Sequence, residues 1–431
     1  MKSVTYIKCA DQVVTMKGAS HLPKKGNEMS EIGVIENGSI ILENDKISFV
    51  GSDQEAAQYL ESLNGAATTI EASGKIVTPG LIDPHTHLVF AGSREKELEM
   101  RLQGAKYIDI LKQGGGILSS TRSTREATME QLVEQASRRL DRFLQYGVTT
   151  VEAKSGYGLT VEDELKQLRA AKVLNSIHAI DLVSTFMGAH AIPAEYKDNP
   201  DAYVNLVIEE MIPVVAREGL AEFCDVFCEE GVFTVEQSEK ILEAGKRYGL
   251  LPKIHADEIV RIGGAELAAK VGAVSAEHLL QASDEGIQAL AESGTIAVLL
   301  PGTAFFLMEK PARARAMIDA GVAIAISTDC NPGSSPTQSM PFVMNAACLM
   351  MKMTPAEVLA SATINAAHAI GLADRIGSIE VGKTADLVLF QASNYQTLQY
   401  NFAVNLVDTV IKNGKVVVQG GSLLGNFAAS R

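Results

Sequence analysis

The chain has 431 residues, of which 46% are hydrophobic and 21% charged, and its formal net charge at pH 7 is −14. This length exceeds what one simple core usually supports, so we expect one large domain with a smaller one, or two domains. The acidic balance argues against nucleic acid or an anionic membrane as a partner. The sequence has no apolar run near the roughly 20 residues that span a bilayer and no signal-peptide core at its start, which predicts a cytoplasmic protein.

The five cysteines are scattered along the chain and do not indicate a disulfide framework. Cys224 and Cys228 share one face of an apolar segment, but the sequence has no second cysteine pair nearby to complete a tetrahedral metal site. We therefore interpret both as buried thiols.

Both ends of the chain have the pattern of β-strands joined by tight turns. Asn37-Gly38 and Asn44-Asp45 each lie between short apolar segments, and both pairs favour hairpins. Residues 385–390 and 410–418 repeat the pattern at the far end. Because short hairpins are not stable alone, we predict that the two ends join into one small β domain. Two separate β appendages are the alternative.

The middle of the chain alternates helix and strand patterns. Thr128 and Gln131 form a capping box, and apolar residues then recur at helical spacing as far as Gly147. Besides the segment before His85, apolar runs typical of strands lie at 148–153, 182–187, 223–227, 253–255, 273–276, 296–300 and 322–327. About eight strands separated by helices predict a (β/α)8 barrel of the TIM type. A doubly wound open sheet is the alternative.

We therefore predict an α/β protein with two domains. Residues 77–372 form the barrel. Residues 1–76 and 373–431 together form a small β-sandwich domain from both termini.

Polar residues follow the ends of the predicted strands. His85 and His87 end the first strand one residue apart, so on extended backbone both imidazoles point to the same side. A pair of satisfied core histidines is the alternative for this spacing alone. Later strands end at His190, His255, His278 and Asp329. The C-terminal strand ends of a barrel meet at one face, whereas an open sheet would not bring all of these residues together, and this favours the barrel.

Three imidazoles and one carboxylate, with water in the remaining position, are typical of a catalytic metal site. A metal there would lower the pKa of its water to about 7 and polarise a carbonyl, which predicts hydrolysis. Glu258, three residues after His255, and His278 are suited to positioning the water and to protonating a leaving nitrogen. A solvated loop carboxylate is the alternative for Glu258.

These residues give the sequence a resemblance to a known family. Residues 79–88, 255–258 and 327–329 resemble the metal motifs of the amidohydrolase superfamily, in the branch that holds a single metal ion. Seven ordered blocks over nearly the whole chain resemble, more narrowly, the imidazolonepropionase family. The blocks are HTHLVFAGSRE (85–95), KSGYGL (154–159), MGAHA (187–191), FCDVFCEEGVF (223–233), KIHADE (253–258), LLPGTAFFL (299–307) and TDCNPGSSP (328–336).

The resemblance implies hydrolysis of 4-imidazolone-5-propanoate to N-formimidoyl-L-glutamate in histidine degradation. It implies one ion, zinc or iron, held by His85, His87, His255 and Asp329; these ligands suit both metals. It implies that Glu258 and His278 serve the proton transfers. It also implies ligand contacts from Arg94, Tyr157, His190, Glu258, Asn331, Gly333 and Ser334.

The residue chemistry agrees with this assignment. A propanoate tail needs a fixed, always charged partner, and Arg94 lies just after the metal histidines. The connection from Gly92 to Thr128 is longer than usual, and we predict a long loop that partly covers the substrate, with Tyr107 as a further contact. An inert insertion is the alternative.

As a hypothesis, activated water attacks the ring carbonyl and the metal holds the oxyanion with help from His278. Glu258 or Asp329 then delivers a proton to the leaving nitrogen.

Two other functions stay open. The H-x-x-E pattern at His255 also occurs in metal-dependent deaminases of nitrogen heterocycles, which release ammonia. A non-catalytic scaffold of the same fold is more distant, because the full ligand set is in place. The predicted partner is a small anionic heterocyclic substrate. Relatives with this architecture are often dimers, so a homodimer is expected by analogy.

Overall fold

A computed structural model gives the positions of residues 3–63, 67–104 and 115–425. In chain order, the strands of this part of the protein are β1 (Val4–Val14), β2 (Val34–Glu43), β3 (Lys46–Ser52), β4 (Thr68–Glu71), β5 (Ile76–Pro79), β6 (Leu81–Asp83), β7 (Val148–Lys154), β8 (Asp181–Ala189), β9 (Phe223–Cys228), β10 (Leu251–Ala256), β11 (Ser275–His278), β12 (Ile296–Leu299), β13 (Ile324–Ile326), β14 (Leu387–Phe390), β15 (Val407–Lys412), β16 (Lys415–Gln419) and β17 (Ser422–Leu423).

The α-helices are α1 (Asp53–Ser62), α2 (Glu95–Leu102), α3 (Ile117–Glu126), α4 (Met129–Gln145), α5 (Val161–Ile177), α6 (Pro200–Leu206), α7 (Ile212–Glu218), α8 (Val235–Arg247), α9 (Gly264–Val271), α10 (Asp284–Ser293), α11 (Pro301–Leu307), α12 (Ala314–Asp319), α13 (Met340–Met351), α14 (Pro355–Ser361), α15 (Ile364–Ala369) and α16 (Gln396–Tyr400). Short 3-10 segments lie at Gly26–Ser30 and Ala194–Tyr196, and a π-helical segment, Val207–Met211, joins α6 to α7. Among the described residues, none of the helices is both long enough and apolar enough to cross a membrane.

One sheet is built from both ends of the chain, in the order β17-β16-β15-β14-β5-β1-β2-β3, with β4 paired to β1. β5 joins the two ends, because it pairs in parallel with β1 and antiparallel with β14. Apolar side chains of both ends, including Ile7, Val77, Leu387 and Ile411, share one buried cluster. The predicted fold class, with strands of both termini in one β unit, is confirmed. The domain limits at 76/77 and 372/373 stay a prediction.

One of the predicted hairpins is wrong. β2 runs through Asn37-Gly38 as a single strand and pairs with β1 from Val4 opposite Glu43 to Val14 opposite Val34. β1 is long enough to offer partners on both sides of the Asn-Gly pair, and Asn37 takes its positive φ of 50° inside the strand instead of in a turn. The turns at Asn44-Asp45 and Asn413-Gly414 do join hairpins, β2 to β3 and β15 to β16.

The second sheet is the predicted barrel, with parallel strands in the order β13-β12-β11-β10-β9-β8-β7-β6. Its first and last strands meet just beyond their ends. The N–H of His87 donates to the carbonyl of Cys330 at 3.0 Å, and the N–H of Asp329 donates to the carbonyl of His85 at 3.1 Å. These two bonds at the C-terminal rim close the ring through residues predicted to form the functional site.

Helices cover the barrel as their sequence patterns predict. α4 begins with the Thr128–Gln131 capping box and buries Leu132, Leu140 and Phe143, each worth about 1.5–3 kcal/mol of transfer free energy. Through this apolar stripe the helix packs against β7, the strand that follows it in the chain.

The predicted long loop from Gly92 to Thr128 is interrupted by two helices, so the prediction is wrong for those segments. Residues 95–102 form α2, and residues 117–126 form α3. None of the residues of α2 is fully buried, because the helix has only a weak apolar periodicity. Its acidic first turn and Arg101 in the last turn suit the helix dipole instead. Tyr107 lies outside the described residues, and the predicted cover over the substrate stays a prediction.

Candidate metal centre and substrate site

The polar residues predicted at the strand ends lie together at the C-terminal rim of the barrel. His85 and His87 follow β6, His190 follows β8, His255 lies near the end of β10, His278 ends β11 and Asp329 follows β13. All six side chains are buried. The structure therefore brings together residues that lie on, or directly after, five different strands of the barrel.

Three of these residues, His85, His87 and Asp329, offer ligand atoms that lie within 4.8 Å of one another, and His255 adjoins them. The Nε2 atoms of His85 and His87 lie 3.4 and 3.9 Å from Oδ1 of Asp329, and Nε2 of His255 lies 3.4 Å from Nε2 of His87. Ligand atoms about 2.1 Å from a tetrahedral ion are roughly 3.4 Å apart. Within the described chain, the buried Nε2 of His85 has no hydrogen-bond partner. Its lone pair points to a place where a cation fits.

His278 borders the same position. Its ligand nitrogen lies within 4.8 Å of those of His85 and His255, just as those of His85, His87 and Asp329 lie within 4.8 Å of one another. The imidazole of His278 is therefore next to the place where an ion and its water would meet a substrate.

Two buried carboxylates that the sequence analysis missed orient the metal histidines. Oε2 of Glu277 lies 2.6 Å from Nδ1 of His85, and Oδ1 of Asp225 lies 3.1 Å from Nδ1 of His255. A carboxylate that accepts from Nδ1–H leaves the lone pair on Nε2, which is the tautomer a metal requires. The signal was present in the sequence, since acidic residues at inward positions of buried strands need a partner.

These carboxylates belong to a layer of paired charges below the rim. The ammonium of Lys154 lies 2.8 Å from Glu152 and 2.7 Å from Asp225, and that of Lys253 lies 3.2 Å from Glu152. Burial alone would lower the pKa of Lys154, but the negative charges of Asp225 and Glu152 raise it. Removing one member of such a pair typically costs about 3–5 kcal/mol of stability.

Asp329 is held in a constrained backbone conformation. Its φ is 52° and that of His278 is 70°, in the left-handed region that costs a non-glycine residue about 1–3 kcal/mol. Thr303 donates to Oδ2 of Asp329 at 2.7 Å, which leaves Oδ1 facing the histidines. Burial raises the pKa of Asp329 to about 6. The hydrogen bond from Thr303 fixes the orientation of this carboxylate.

Glu258 stands beside His278, with Oε1 3.5 Å from Nδ1. Burial, the negative charge of Asp329 and that of Glu229 raise the pKa of Glu258 to about 8, whereas burial and the charge of His255 lower the pKa of His278 well below its usual value. Glu229, which the sequence analysis missed, accepts from the N–H groups of Ile259 and Val260 at 2.8 and 3.1 Å. Glu229 thereby fixes the loop that carries Glu258. The two pKa shifts mean that the neutral imidazole of His278 faces a carboxyl group able to hold a proton.

His190 and Tyr157 form an aromatic wall next to His87. The rings of His190 and His87 stack with centroids 4.5 Å apart, and the centroid of Tyr157 lies 5.3 Å from that of His190. Nδ1 of His190 lies 3.0 Å from the carbonyl oxygen of Gly156 and donates to it in the matching tautomer. Gly156 has a φ of +111°, and a Cβ there would press against the His190 ring, so only glycine allows this approach. Glu164 holds the turn by accepting from three of its N–H groups.

Arg94 and the segment 331–334 lie at the outer side of the site. The Asn331 amide bonds the Asp329 carbonyl, the N–H groups of Gly333 and Ser334, and the Ser334 hydroxyl, so it organises this turn. A Cβ at Gly333 would clash with the Arg94 guanidinium. Gly333 thus makes room for Arg94. Burial raises the pKa of the Tyr157 phenol, and the positive charge of Arg94 opposes this rise. Of the predicted site residues, only Tyr107 falls in the part without described positions.

Comparisons with known proteins match nearly the whole chain. The amidohydrolase family model matches residues 76–417. The chain is 69% identical to an imidazolonepropionase of Shouchella clausii (strain KSM-K16), over 98% of this chain and 95% of the relative, and 62% identical to one of Geobacillus sp. (strain WCH70), over 97% and 99%. Among solved structures, a zinc complex of atrazine chlorohydrolase from Arthrobacter aurescens TC1 matches with a TM-score of 0.71 at 17% identity, covering 97% of this chain and 96% of that one.

Proposed function

The chain belongs to the amidohydrolase family and, within it, to the imidazolonepropionases, and from this premise we propose how its own residues open the ring of 4-imidazolone-5-propanoate. It is a hydrolase acting on a C–N bond. The product in histidine degradation is N-formimidoyl-L-glutamate. The observation that carries the proposed mechanism is that His85, His87 and Asp329 offer ligand atoms within 4.8 Å of one another, with Nε2 of His255 3.4 Å from that of His87. Glu258 lies beside the neighbouring His278.

We propose that one zinc or iron ion is held by these three histidines and Asp329. The lone pairs of His85 and His255 are directed by Glu277 and Asp225, and this donor set suits either metal. An ion bound there supplies an activated water and polarises a carbonyl.

Each residue around the ion has a proposed task. A cation at the site would favour the ionised form of Glu258. In that form Glu258 accepts the proton of the attacking water and passes it to the ring nitrogen as the C–N bond breaks. The neutral imidazole of His278 donates a hydrogen bond to the carbonyl oxygen while negative charge develops there. Asp329 orients the water and is the second candidate for delivering the proton. The attacked carbon becomes the α-carboxylate of the product.

Substrate contacts follow from the same arrangement. Arg94 pairs with the propanoate carboxylate, and the phenol of Tyr157 and the imidazole of His190 line the ring on the side of His87. Asn331, Gly333 and Ser334 shape the turn that faces Arg94. Tyr107 is proposed as a further contact.

The test combines metal analysis with turnover. Purified protein should contain about one equivalent of zinc or iron, consume imidazolonepropanoate without releasing ammonia, lose activity with a chelator and regain it with added metal. Ammonia release would instead indicate a deaminase of a nitrogen heterocycle. Full activity in metal-free protein would refute the proposed site.

We also propose that residues 77–372 form the catalytic domain, that 1–76 and 373–431 form the small domain, and that the enzyme acts in the cytoplasm as a homodimer. The formation of the small domain from both ends of the chain is supported by the sheet that their strands share. The dimer is an analogy with relatives of this architecture, and light scattering on the purified protein tests it.

A further inference from the structure

Glu97 connects Arg94 to the start of another helix. Its Oε2 accepts from both Nε and Nη2 of Arg94, at 2.9 and 2.7 Å, and its Oε1 accepts from the N–H of Gly116 at 2.9 Å. The side chains of Arg94 and Glu97 are only 16% and 12% exposed. Both oxygens of this carboxylate are thus engaged in a partly buried position, unlike those of an ordinary surface pair.

This arrangement fixes the orientation of the Arg94 guanidinium. Glu97 occupies the Nε–Nη2 edge, while Nη1 lies against the backbone of Gly333, where a Cβ would clash with it. Since the guanidinium is planar, holding one edge determines where the remaining N–H groups point. On the Nη1 side they lie against the turn 331–334.

We propose that Glu97 is a positioning residue that determines the preference for a substrate with a carboxylate, because it presents the free edge of Arg94 to that group. This rests on the proposed function, in which Arg94 pairs with the propanoate. Glu97 itself does not touch the substrate. Its negative charge repels an anionic substrate. When that charge is removed, a role through charge alone and a role through positioning therefore predict changes in KM of opposite sign.

Glutamine at this position separates the two roles. A glutamine has one acceptor oxygen where Glu97 uses two, so it can satisfy either Arg94 or the N–H of Gly116, and its amide group then faces the other donor. If positioning dominates, KM for the anionic substrate rises when the charge is removed. If repulsion dominates, KM falls.

The experiment compares Glu97→Gln and Glu97→Ala with wild type, on imidazolonepropanoate and on its methyl ester. For Glu97→Gln we expect KM for the acid to rise about tenfold, the effect of one lost charge-assisted hydrogen bond, with kcat within about twofold because the reacting atoms are untouched. KM for the ester should not change, so the preference for the acid falls by the same factor. Glu97→Ala should show a larger effect in the same direction.

Two controls make the outcomes distinct. Glu99→Gln removes an exposed carboxylate from the same helix and should leave all constants at wild-type values. Arg94→Ala tests the underlying assignment: an unchanged KM in that variant would refute the propanoate contact itself. If Arg94→Ala raises KM for the acid while Glu97→Gln and Glu97→Ala leave it unchanged or lower it, the role of Glu97 is refuted and the proposed function stands. An equal loss on acid and ester would also refute it.

Discussion

Replacing Glu277 by glutamine tests the link between the buried charge layer and the metal. Oε2 of Glu277 lies 2.6 Å from Nδ1 of His85, and both side chains are fully buried. A glutamine oxygen can still accept from Nδ1–H, but it carries no charge. Its amide group would then lie toward Lys253, whose ammonium is 3.7 Å from the second oxygen of Glu277. His85 would keep its orientation less firmly and would be a weaker base.

We expect one effect on metal affinity and a second, of similar size, on the stability of the fold. Loss of a carboxylate behind a metal histidine lowers metal affinity about 10–100-fold, which is roughly 1.4–2.7 kcal/mol. Lys253 keeps Glu152 at 3.2 Å, so we expect destabilisation of the metal-free protein of only about 1–3 kcal/mol. Asp225→Asn should weaken metal binding through His255 in the same way.

The assay is a competition titration of metal-free protein with Zn²⁺ in the presence of a chromophoric chelator, with circular dichroism to confirm folding. Glu285→Gln, an exposed carboxylate in the first turn of α10, is the matched control. Activity at saturating metal should return to a large fraction of the wild-type value. A Glu277→Gln protein that is folded and binds Zn²⁺ within twofold of wild type would show that Glu277 does not support a metal ligand, and the assignment of His85 would fall with it.

Three further outcomes follow from the site. Glu258→Gln should lower kcat by about 10²–10⁴-fold with metal content unchanged, measured by turnover and metal analysis; nearly full activity would exclude Glu258 from proton transfer. Arg94→Ala should raise KM at least about tenfold, and Arg94→Lys should recover only part of this loss because an ammonium cannot present a planar fork; equal KM values in the two variants would contradict this. The pKa of Glu258, raised to about 8, means that the folded metal-free protein holds a proton that the unfolded chain releases near pH 4 to 5. The stability of the metal-free protein should therefore fall as pH rises from about 5 to 8, and it should fall more in wild type than in Glu258→Gln. Thermal unfolding of both proteins at several pH values measures this difference. Parallel curves of stability against pH would contradict the raised pKa.

The sequence predicts most of the barrel because each strand is a short apolar run and the polar residue after it, such as His255 or Asp329, marks the rim. Glu277 and Asp225 were missed because they lie inside strands, where the partner of a charge depends on which strand stands next to it in the ring. The pairs of Lys154 and Lys253 are set by the same three-dimensional arrangement. The sequence predicts a loop at α2 because this helix has no apolar stripe. It predicts a turn at Asn37-Gly38 because the length of the partner strand β1 is not a local property.

The barrel is closed by main-chain bonds of His85, His87 and Asp329, which are also the residues that face the ion position. An ion bound to their side chains would act as a crosslink between the first and last strands of the ring, tying together segments that are distant in the chain. Binding that requires the closed ring stabilises it by mass action. Without a bound ion the folded protein should therefore unfold more readily, in addition to lacking the chemistry that the ion would supply.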